Sequence, residues 1–209
     1  RRHTADEARG AFDLARRHFD RVSLDLICAR QDQTREGWAA ELDAALDLAI
    51  DHLSLYQLTI EPGTAFADRK ARGGLRGLPS EDLAADLYDM TVSACASAGL
   101  PLYEVSNFAA PSAECRHNML YWSGGDYLGI GPGAHGRLTG DGVRRATEQA
   151  HLPATWLSGV EGGRGAHRQE SVVSRNERWL EYLMMSLRKR TGTHLPTLAR
   201  MDDAAEGFD

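Results

Sequence analysis

The amino-acid sequence predicts an α/β protein that contains parallel strands. Short runs of aliphatic and β-branched residues, at 22–27 and 53–58, have the length and composition of strands. Apolar residues at helical spacing precede and separate these two runs. The resulting order of helix, strand, helix and strand is typical of α/β architecture.

The first elements carry local start signals. Thr4 and Glu7 form a capping-box pattern, which predicts a helix from there to about His18. Thr34 is the expected N-cap of the helix between the two strands. The apolar positions of that helix are Trp38, Leu42, Ala45, Leu46 and Ala49.

A long helix is expected in the middle of the chain. Pro62 and Gly63 interrupt the pattern after the second strand, and further glycines at 73–77 predict a loop. Ser80 then caps an amphipathic helix over 81–98, which Gly99 ends. A short strand is predicted at 102–105.

The composition changes after position 115. Glycines crowd the stretch 124–136, and Thr139-Gly140-Asp141-Gly142 predicts a hairpin turn. A loop is expected at 162–165, followed by a long helix over 170–190. The buried stripe expected on that helix consists of Trp179, Leu180, Leu183, Met184 and Leu187.

Charge and composition exclude several classes of function. The net charge is −6 and the basic residues are dispersed, which argues against a nucleic-acid partner. No apolar run approaches the roughly 20 residues of a membrane span, so we expect weak or no membrane association.

The three cysteines, Cys28, Cys95 and Cys115, lie far apart in the sequence, a pattern that suits a reducing cytoplasm. It predicts a cytoplasmic protein. The chain does not begin with Met, and we expect that its N-terminus is truncated.

The glycine-rich stretch Gly129–Gly136 is a candidate for close approach to a ligand. Glycine lets the backbone come near a ligand or turn with positive φ. Pro132 within the stretch distinguishes it from a dinucleotide-binding fingerprint. A tight structural turn beside a pocket explains the glycines equally well.

The segment 115–122 contains a candidate iron or heme ligand. The imidazole of His117 can bind heme iron, and Tyr121 and Trp122 could flank a flat ring. Asn118 and Arg116 could hold polar or propionate groups. A hydrogen-bonded structural histidine is the alternative. A zinc site is not supported, because no further Cys or His completes four ligands.

Asp25 lies between aliphatic residues in the first predicted strand. A carboxylate in such a position must be paired or must face a ligand. A ribose hydroxyl, an amino group of a ligand or a neighbouring arginine would each satisfy it.

Four long segments, in the same order along the chain, resemble the sequence motifs of a known family. They are His52–Thr64, Tyr103–Ala109, the His-Asn-x-x-Tyr-Trp pattern of His117–Trp122, and Gly124–Gly136. In these the chain resembles radical-SAM proteins of the oxygen-independent coproporphyrinogen oxidase family, and among them the HemW-type heme chaperones. The resemblance extends from residue 1 to about residue 192.

The resemblance implies a fold and a division into domains. It implies the C-terminal part of a partial (β/α) radical-SAM barrel, similar to a TIM barrel, over 1–110. A connector that contains β-structure and the His-Asn-x-x-Tyr-Trp motif would follow over 111–168. Residues 169–209 would begin a helical C-terminal domain.

The resemblance also implies cofactors. In the family, a Cys-x-x-x-Cys-x-x-Cys loop binds a 4Fe-4S cluster, to which S-adenosylmethionine binds. This chain lacks that motif, and we expect it upstream.

The family's site residues map onto nine positions of this chain. By resemblance, Arg1 and Asp25 lie beside S-adenosylmethionine, and Tyr56, Gln57 and Leu58 line the far wall of the barrel. His117 corresponds to the candidate heme-iron ligand, with Asn118, Tyr121 and Trp122 in the same motif.

Two departures from the family pattern affect the region of Asp25. Gln31-Asp32 stand where the family usually has Pro-Gly, and Cys28 replaces an aromatic residue. The loss of the Pro-Gly turn bears on the local loop geometry and therefore on the approach of a ligand.

Three functions are compatible with these observations. The first is a chaperone that binds heme and delivers it to respiratory proteins. The second is an oxidase that decarboxylates coproporphyrinogen III, and the third is a non-catalytic scaffold. A shared fold is weak evidence for a shared reaction, so the sequence leaves open whether the protein is an enzyme.

Overall fold

The structure is a computed structural model that describes residues 4–48, 50–163 and 167–203. The chain divides into two compact units, Arg1–Glu114 and Cys115–Asp209. Each unit is described by itself below. The finer division into three parts that the resemblance implies stays a prediction.

Unit 1 is an α/β unit built on one mixed sheet. Strands β1 (Leu24–Cys28) and β2 (His52–Gln57) pair in parallel. Strand β2 also pairs antiparallel with β4 (Asn107–Ala109), which in turn pairs antiparallel with β3 (Leu102–Glu104). The sheet order is β1-β2-β4-β3. The helices described in unit 1 are α1 (Ala5–His18), α2 (Arg35–Leu46), α3 (Ala65–Ala71) and α4 (Glu81–Ser97). The predicted α/β class is therefore confirmed.

Hydroxyl side chains start the helices of unit 1 where the sequence predicts them. Thr4 and Glu7 form both bonds of the capping box at the start of α1. Thr34 accepts a hydrogen bond from the backbone of α2, and Ser80 does the same for α4. Gly99 follows α4 with φ of +80°, a conformation that glycine adopts without a Cβ penalty.

The hydrophobic core of unit 1 lies on one face of its sheet. Helices α2 and α4 pack against each other and contribute side chains to this core. The opposite face of the same sheet carries polar residues. The fully buried apolar members of the core include Trp38, Leu42, Leu53, Leu87, Cys95 and Phe108.

Unit 2 contains a three-stranded antiparallel sheet with helices. Its strands β5 (His135–Gly140), β6 (Val143–Gln149) and β7 (His167–Val172) are ordered β5-β6-β7. Asp141 and Gly142 join β5 to β6 with φ values of 52° and 75°, the positive values of a type I′ turn. This confirms the predicted hairpin. The helices described in unit 2 are α5 (Arg116–Trp122), α6 (Pro153–Glu161), α7 (Arg175–Ser186) and α8 (Leu195–Asp203).

The predicted helix over 170–190 is wrong at both ends. Residues 170–172 belong to β7, which pairs with β6. Helix α7 starts only after Ser174, because Ser174 and Glu177 form a capping box there, and it ends at Ser186.

The predicted buried stripe of this helix is also wrong in part. Leu180, Met184 and Leu187 are 52%, 62% and 64% exposed, whereas Tyr182 and Ser186 are buried. Hydrophobic spacing identifies a face of a helix, but the neighbouring elements decide which face is covered. Ala49, expected in the core, lies outside the described residues.

No helix among the described residues is long and apolar enough to cross a membrane.

Candidate functional sites

The polar face of the sheet in unit 1 contains two of the residues that the resemblance implies for the S-adenosylmethionine side of the barrel, Asp25 and Tyr56. In the parallel register, Asp25 pairs with Ser54 and Ile27 pairs with Tyr56. Paired residues of neighbouring strands point to the same side of a sheet. Asp25 and Tyr56 therefore lie on one face, opposite the hydrophobic core, and both are exposed.

The other residues expected on this side are placed differently. Gln57 donates from Nε2 to the carbonyl of Ala84 at 2.9 Å, so its side chain lies against α4. The backbone of Leu58 donates to the carbonyl of Cys28 at 2.9 Å and extends the β1–β2 pairing. Arg1 lies outside the described residues.

The loop after β1 takes a left-handed conformation where the family usually has Pro-Gly. Asp32 has φ of +56°, and its backbone N–H donates to the carbonyl of Gly77 at 2.7 Å. A Cβ on Gly77 would lie 2.0 Å from Oδ1 of Asp32. Gly77 has φ of +74°, a backbone conformation that glycine adopts without a Cβ penalty, so glycine favours this close approach of the two loops.

A buried hydrogen-bond chain lies on the same face as Asp25. Ser54 donates from Oγ to Oδ1 of Asn107 at 2.7 Å, and Asn107 donates from Nδ2 to the carboxylate of Glu104. Glu104 is only 1% exposed. Sequence reasoning assigned no role to these residues, although they lie within the segments quoted for the family resemblance.

The buried imidazole of His52, on the same sheet, makes two further hydrogen-bond contacts, one with each ring nitrogen. Its Nδ1 lies 2.7 Å from the hydroxyl of Ser23, and its Nε2 lies 2.9 Å from the hydroxyl of Tyr103. Burial lowers the pKa of His52, and the positive charge of Arg21 lowers it further. The neutral imidazole is thus the favoured form in the folded protein.

In unit 2, helix α5 brings His117 and Tyr121 together. The two residues are four positions apart and so lie on one face of the helix. The Tyr121 hydroxyl is 2.6 Å from Nε2 of His117, and the ring centroids are 4.5 Å apart in an edge-on arrangement. The ring of Tyr127 packs edge-on against Tyr121 at 4.4 Å. His117 itself is exposed.

Trp122 and Asn118 lie on the neighbouring row of the same helix. The guanidinium of Arg188 lies over the Trp122 ring, 4.8 Å from its centroid. The indole Nε1 of Trp122 is buried and has no hydrogen-bond partner among the described residues. Asn118 is half-buried. The motif is thus divided between two faces, with Trp122 held against Arg188.

The glycines after α5 allow close backbone packing. A Cβ on Gly129 would lie 2.5 Å from the backbone of His135, and a Cβ on Gly136 would lie 2.5 Å from the Thr147 hydroxyl. The same stretch exposes two large apolar side chains, Leu128 at 67% and Ile130 at 79%. It therefore combines a constrained backbone with an uncovered apolar surface.

The described residues do not fit a 4Fe-4S cluster. Cys28 and Cys95 are buried in the core, where burial raises the pKa of both thiols, that of Cys95 to about 12. Such thiols stay protonated and are poor metal ligands. In the described parts of the chain, no three His, Cys, Asp or Glu residues are grouped to hold a metal ion.

Comparisons with known proteins place the chain in a class. No protein-family model matches it. The fold is similar to that of a solved Escherichia coli structure, the coproporphyrinogen III oxidase HemN, described as a radical SAM enzyme. The TM-score is 0.73 at 21% identity, over 96% of this chain and 48% of that one. Together with the sequence relatives described in the next paragraph, this similarity places the chain in the class of the radical SAM proteins.

The relatives in sequence narrow this class. The chain is 40% identical over 200 residues to the mitochondrial radical S-adenosyl methionine domain-containing protein 1 of Mus musculus, covering 93% of this chain and 45% of that protein. It is 36% identical over 179 residues to the heme chaperone HemW of Lactococcus lactis, covering 86% of this chain and 45% of that protein. The chain belongs to the radical SAM family, in the group of HemW-type and coproporphyrinogen-oxidase-like proteins. It spans about half the length of these curated relatives.

Proposed function

We propose that the protein is a heme chaperone, which binds heme as cargo and passes it to an acceptor protein. The observation that carries this proposal is the His117–Tyr121 pair on α5, an imidazole and a phenol on one face of a helix. Both groups are known ligands of heme iron. Relatives that are named heme chaperones match the chain at 36–41% identity.

The surroundings of His117 fit a porphyrin. The side chain of His117 is exposed to solvent. The exposed apolar side chains of Leu128 and Ile130 follow in the adjoining loop and would lose contact with water beneath a flat apolar ring. We propose Nε2 of His117 as the iron ligand, which requires the Tyr121 hydroxyl to release that nitrogen first.

We further propose that unit 1 contributes to binding S-adenosylmethionine. Asp25 and Tyr56 are exposed on one face of two parallel strands, and Tyr56 lies near the carboxyl end of β2, the end at which ligands bind in α/β folds. The Asp25 carboxylate would accept hydrogen bonds from ribose hydroxyls or an amino group. Tyr56 would offer an aromatic surface. The iron–sulfur cluster of the family would have to be held by residues other than those described.

The chaperone proposal is tested by heme binding and release. The full chain is titrated with hemin, and the loaded protein is then mixed with apomyoglobin as a heme acceptor. A chaperone gives a saturable Soret absorbance change and transfers its heme. Absence of saturable binding would contradict the proposal. Conversion of coproporphyrinogen III by a longer form of the protein that also carries the cluster motif would favour the oxidase instead.

A further inference from the structure

Unit 2 contains a small cavity between the sheet and helix α7. Its volume is about 30 Å³, and its lining includes Tyr121, Tyr127, Arg137, Arg144, Arg178 and Glu181. A cavity needs roughly 10–15 Å³ to hold one water molecule. This one can therefore take a group of two or three heavy atoms, such as a carboxylate, but not a ring.

Two of the three arginines at the cavity are already neutralised. Arg137 donates to the carboxylate of Glu181 at 2.7 Å, and Arg144 donates to that of Asp126 at 2.6 Å. Arg144 also donates to the carbonyl of Gly125 at 3.0 Å. Both guanidinium groups are thus held in fixed positions.

Arg178 differs from these two arginines. Its side chain makes no hydrogen bond or ion pair with any described residue, although it lies within electrostatic range of Asp126. Of the three guanidinium groups at the cavity, that of Arg178 is therefore the one without a hydrogen-bonded carboxylate among the described residues. Such a site favours one anion, and a planar guanidinium matches a carboxylate in shape and hydrogen-bond geometry.

Tyr121 connects this cavity to the proposed heme ligand. It lines the cavity and also places its hydroxyl on His117. We propose that Arg178 binds a carboxylate of the cargo, one of the two propionates of heme, and so fixes the orientation of the porphyrin on α5. This inference rests on the proposed function.

The test compares heme with its dimethyl ester, in which both propionates are uncharged. The affinity of the full chain for each is measured by Soret titration, for the wild type, Arg178→Gln and Arg190→Gln. Arg190 is an exposed arginine of the same unit that does not line the cavity, so it provides the matched control.

The wild type is expected to bind heme about tenfold or more tightly than the ester, since a hydrogen bond to a charged group is worth roughly that factor. Arg178→Gln should lose the same factor for heme and leave ester binding unchanged. Arg190→Gln should match the wild type with both ligands.

Each other outcome counts against the inference. Equal affinity of the wild type for heme and ester overturns it without any variant, even if Arg178→Gln does not fold. Unchanged heme affinity in a folded Arg178→Gln, checked by circular dichroism, also overturns it while the chaperone function stands. Failure of the wild type to bind either ligand overturns the proposed function as well.

Discussion

At the scale of single residues, the contact between Tyr121 and His117 controls access to the proposed iron ligand. An imidazole has two nitrogens, and the hydrogen bond made by one decides what the other can do. Here Nε2 is engaged by a phenol hydroxyl at 2.6 Å. Iron can therefore bind at Nε2 only after this hydrogen bond is broken. The free energy lost with the hydrogen bond lowers the affinity of the protein for heme.

Removing this hydroxyl gives the first prediction. We expect Tyr121→Phe to bind heme several-fold more tightly, because a hydrogen bond worth about 1 kcal/mol no longer has to break. Soret titration measures the change, and Tyr88→Phe on α4 of unit 1 serves as the control. Weaker binding by Tyr121→Phe would instead mean that the phenol oxygen itself holds the cargo.

A second prediction at this scale concerns His52. Its pKa is lowered below the ordinary value of 6.5 by burial and by Arg21. The unfolded chain thus binds more protons than the folded one between the two pKa values, and stability rises with pH across that window. We expect the contribution to be complete above pH 6.5 and to diminish as the pH falls towards the folded-state pKa.

Urea unfolding of wild type and His52→Gln at several pH values between about 5 and 7 checks this expectation. The free energy of unfolding of His52→Gln should depend less steeply on pH than that of the wild type. Identical slopes in the two proteins would show that His52 does not titrate differently on folding.

At the scale of elements, a buried hydrogen bond joins the two helices that cover the sheet of unit 1. Trp38 on α2 is fully buried and donates from Nε1 to the hydroxyl of Thr91 on α4 at 2.8 Å. The same hydroxyl donates to the carbonyl of Leu87 at 2.7 Å. The helices are thus held in register by a polar contact inside an apolar core.

Replacing the Thr91 hydroxyl leaves the buried indole N–H of Trp38 without its acceptor, which should lower the stability of the protein. We expect Thr91→Val to lower the free energy of unfolding by about 1–3 kcal/mol, because the indole N–H loses its acceptor. Thr91→Ser keeps the hydroxyl and should cost less. Denaturant unfolding measures both variants, and equal losses would show that the hydrogen bond contributes little.

Elements with local signals could be predicted from the sequence. The caps at Thr4, Thr34 and Ser80 and the Asp141-Gly142 turn depend on neighbouring residues alone, and all four are found. Strand β7 was not predicted, because its sequence is polar and it forms by pairing with β6, a distant part of the chain. Helix α5 has no side-chain hydrogen bond at its N-cap, so no local capping signal predicts it.

At the scale of the whole molecule, the two units are stabilised differently. Unit 1 has an apolar core between its sheet and helices. In the described part of unit 2, the buried side chains are mainly polar and include Arg144, Thr147 and Gln149. Burying such groups is tolerated only with partners, such as the ion pair of Arg144 with Asp126.

The candidate site was predictable only where it lies within one element. The spacing of His117 and Tyr121 places them on one face once α5 is a helix. The packing of Trp122 under Arg188 and the cavity beside Tyr121 depend on α7 and the turn that follows it, more than fifty positions along the chain. Sequence patterns carry no information on such long-range packing, so the motif was interpreted as one aromatic cluster.

Heme titration of the full chain with a histidine removed tests the central claim most directly. His117→Ala is compared with His151→Ala, since His151 is an exposed histidine of the same unit, paired with Glu148. We expect His117→Ala to lose the Soret change that marks iron ligation, and His151→Ala to retain it. Equal Soret changes in His117→Ala and the wild type would contradict the assignment of heme to helix α5.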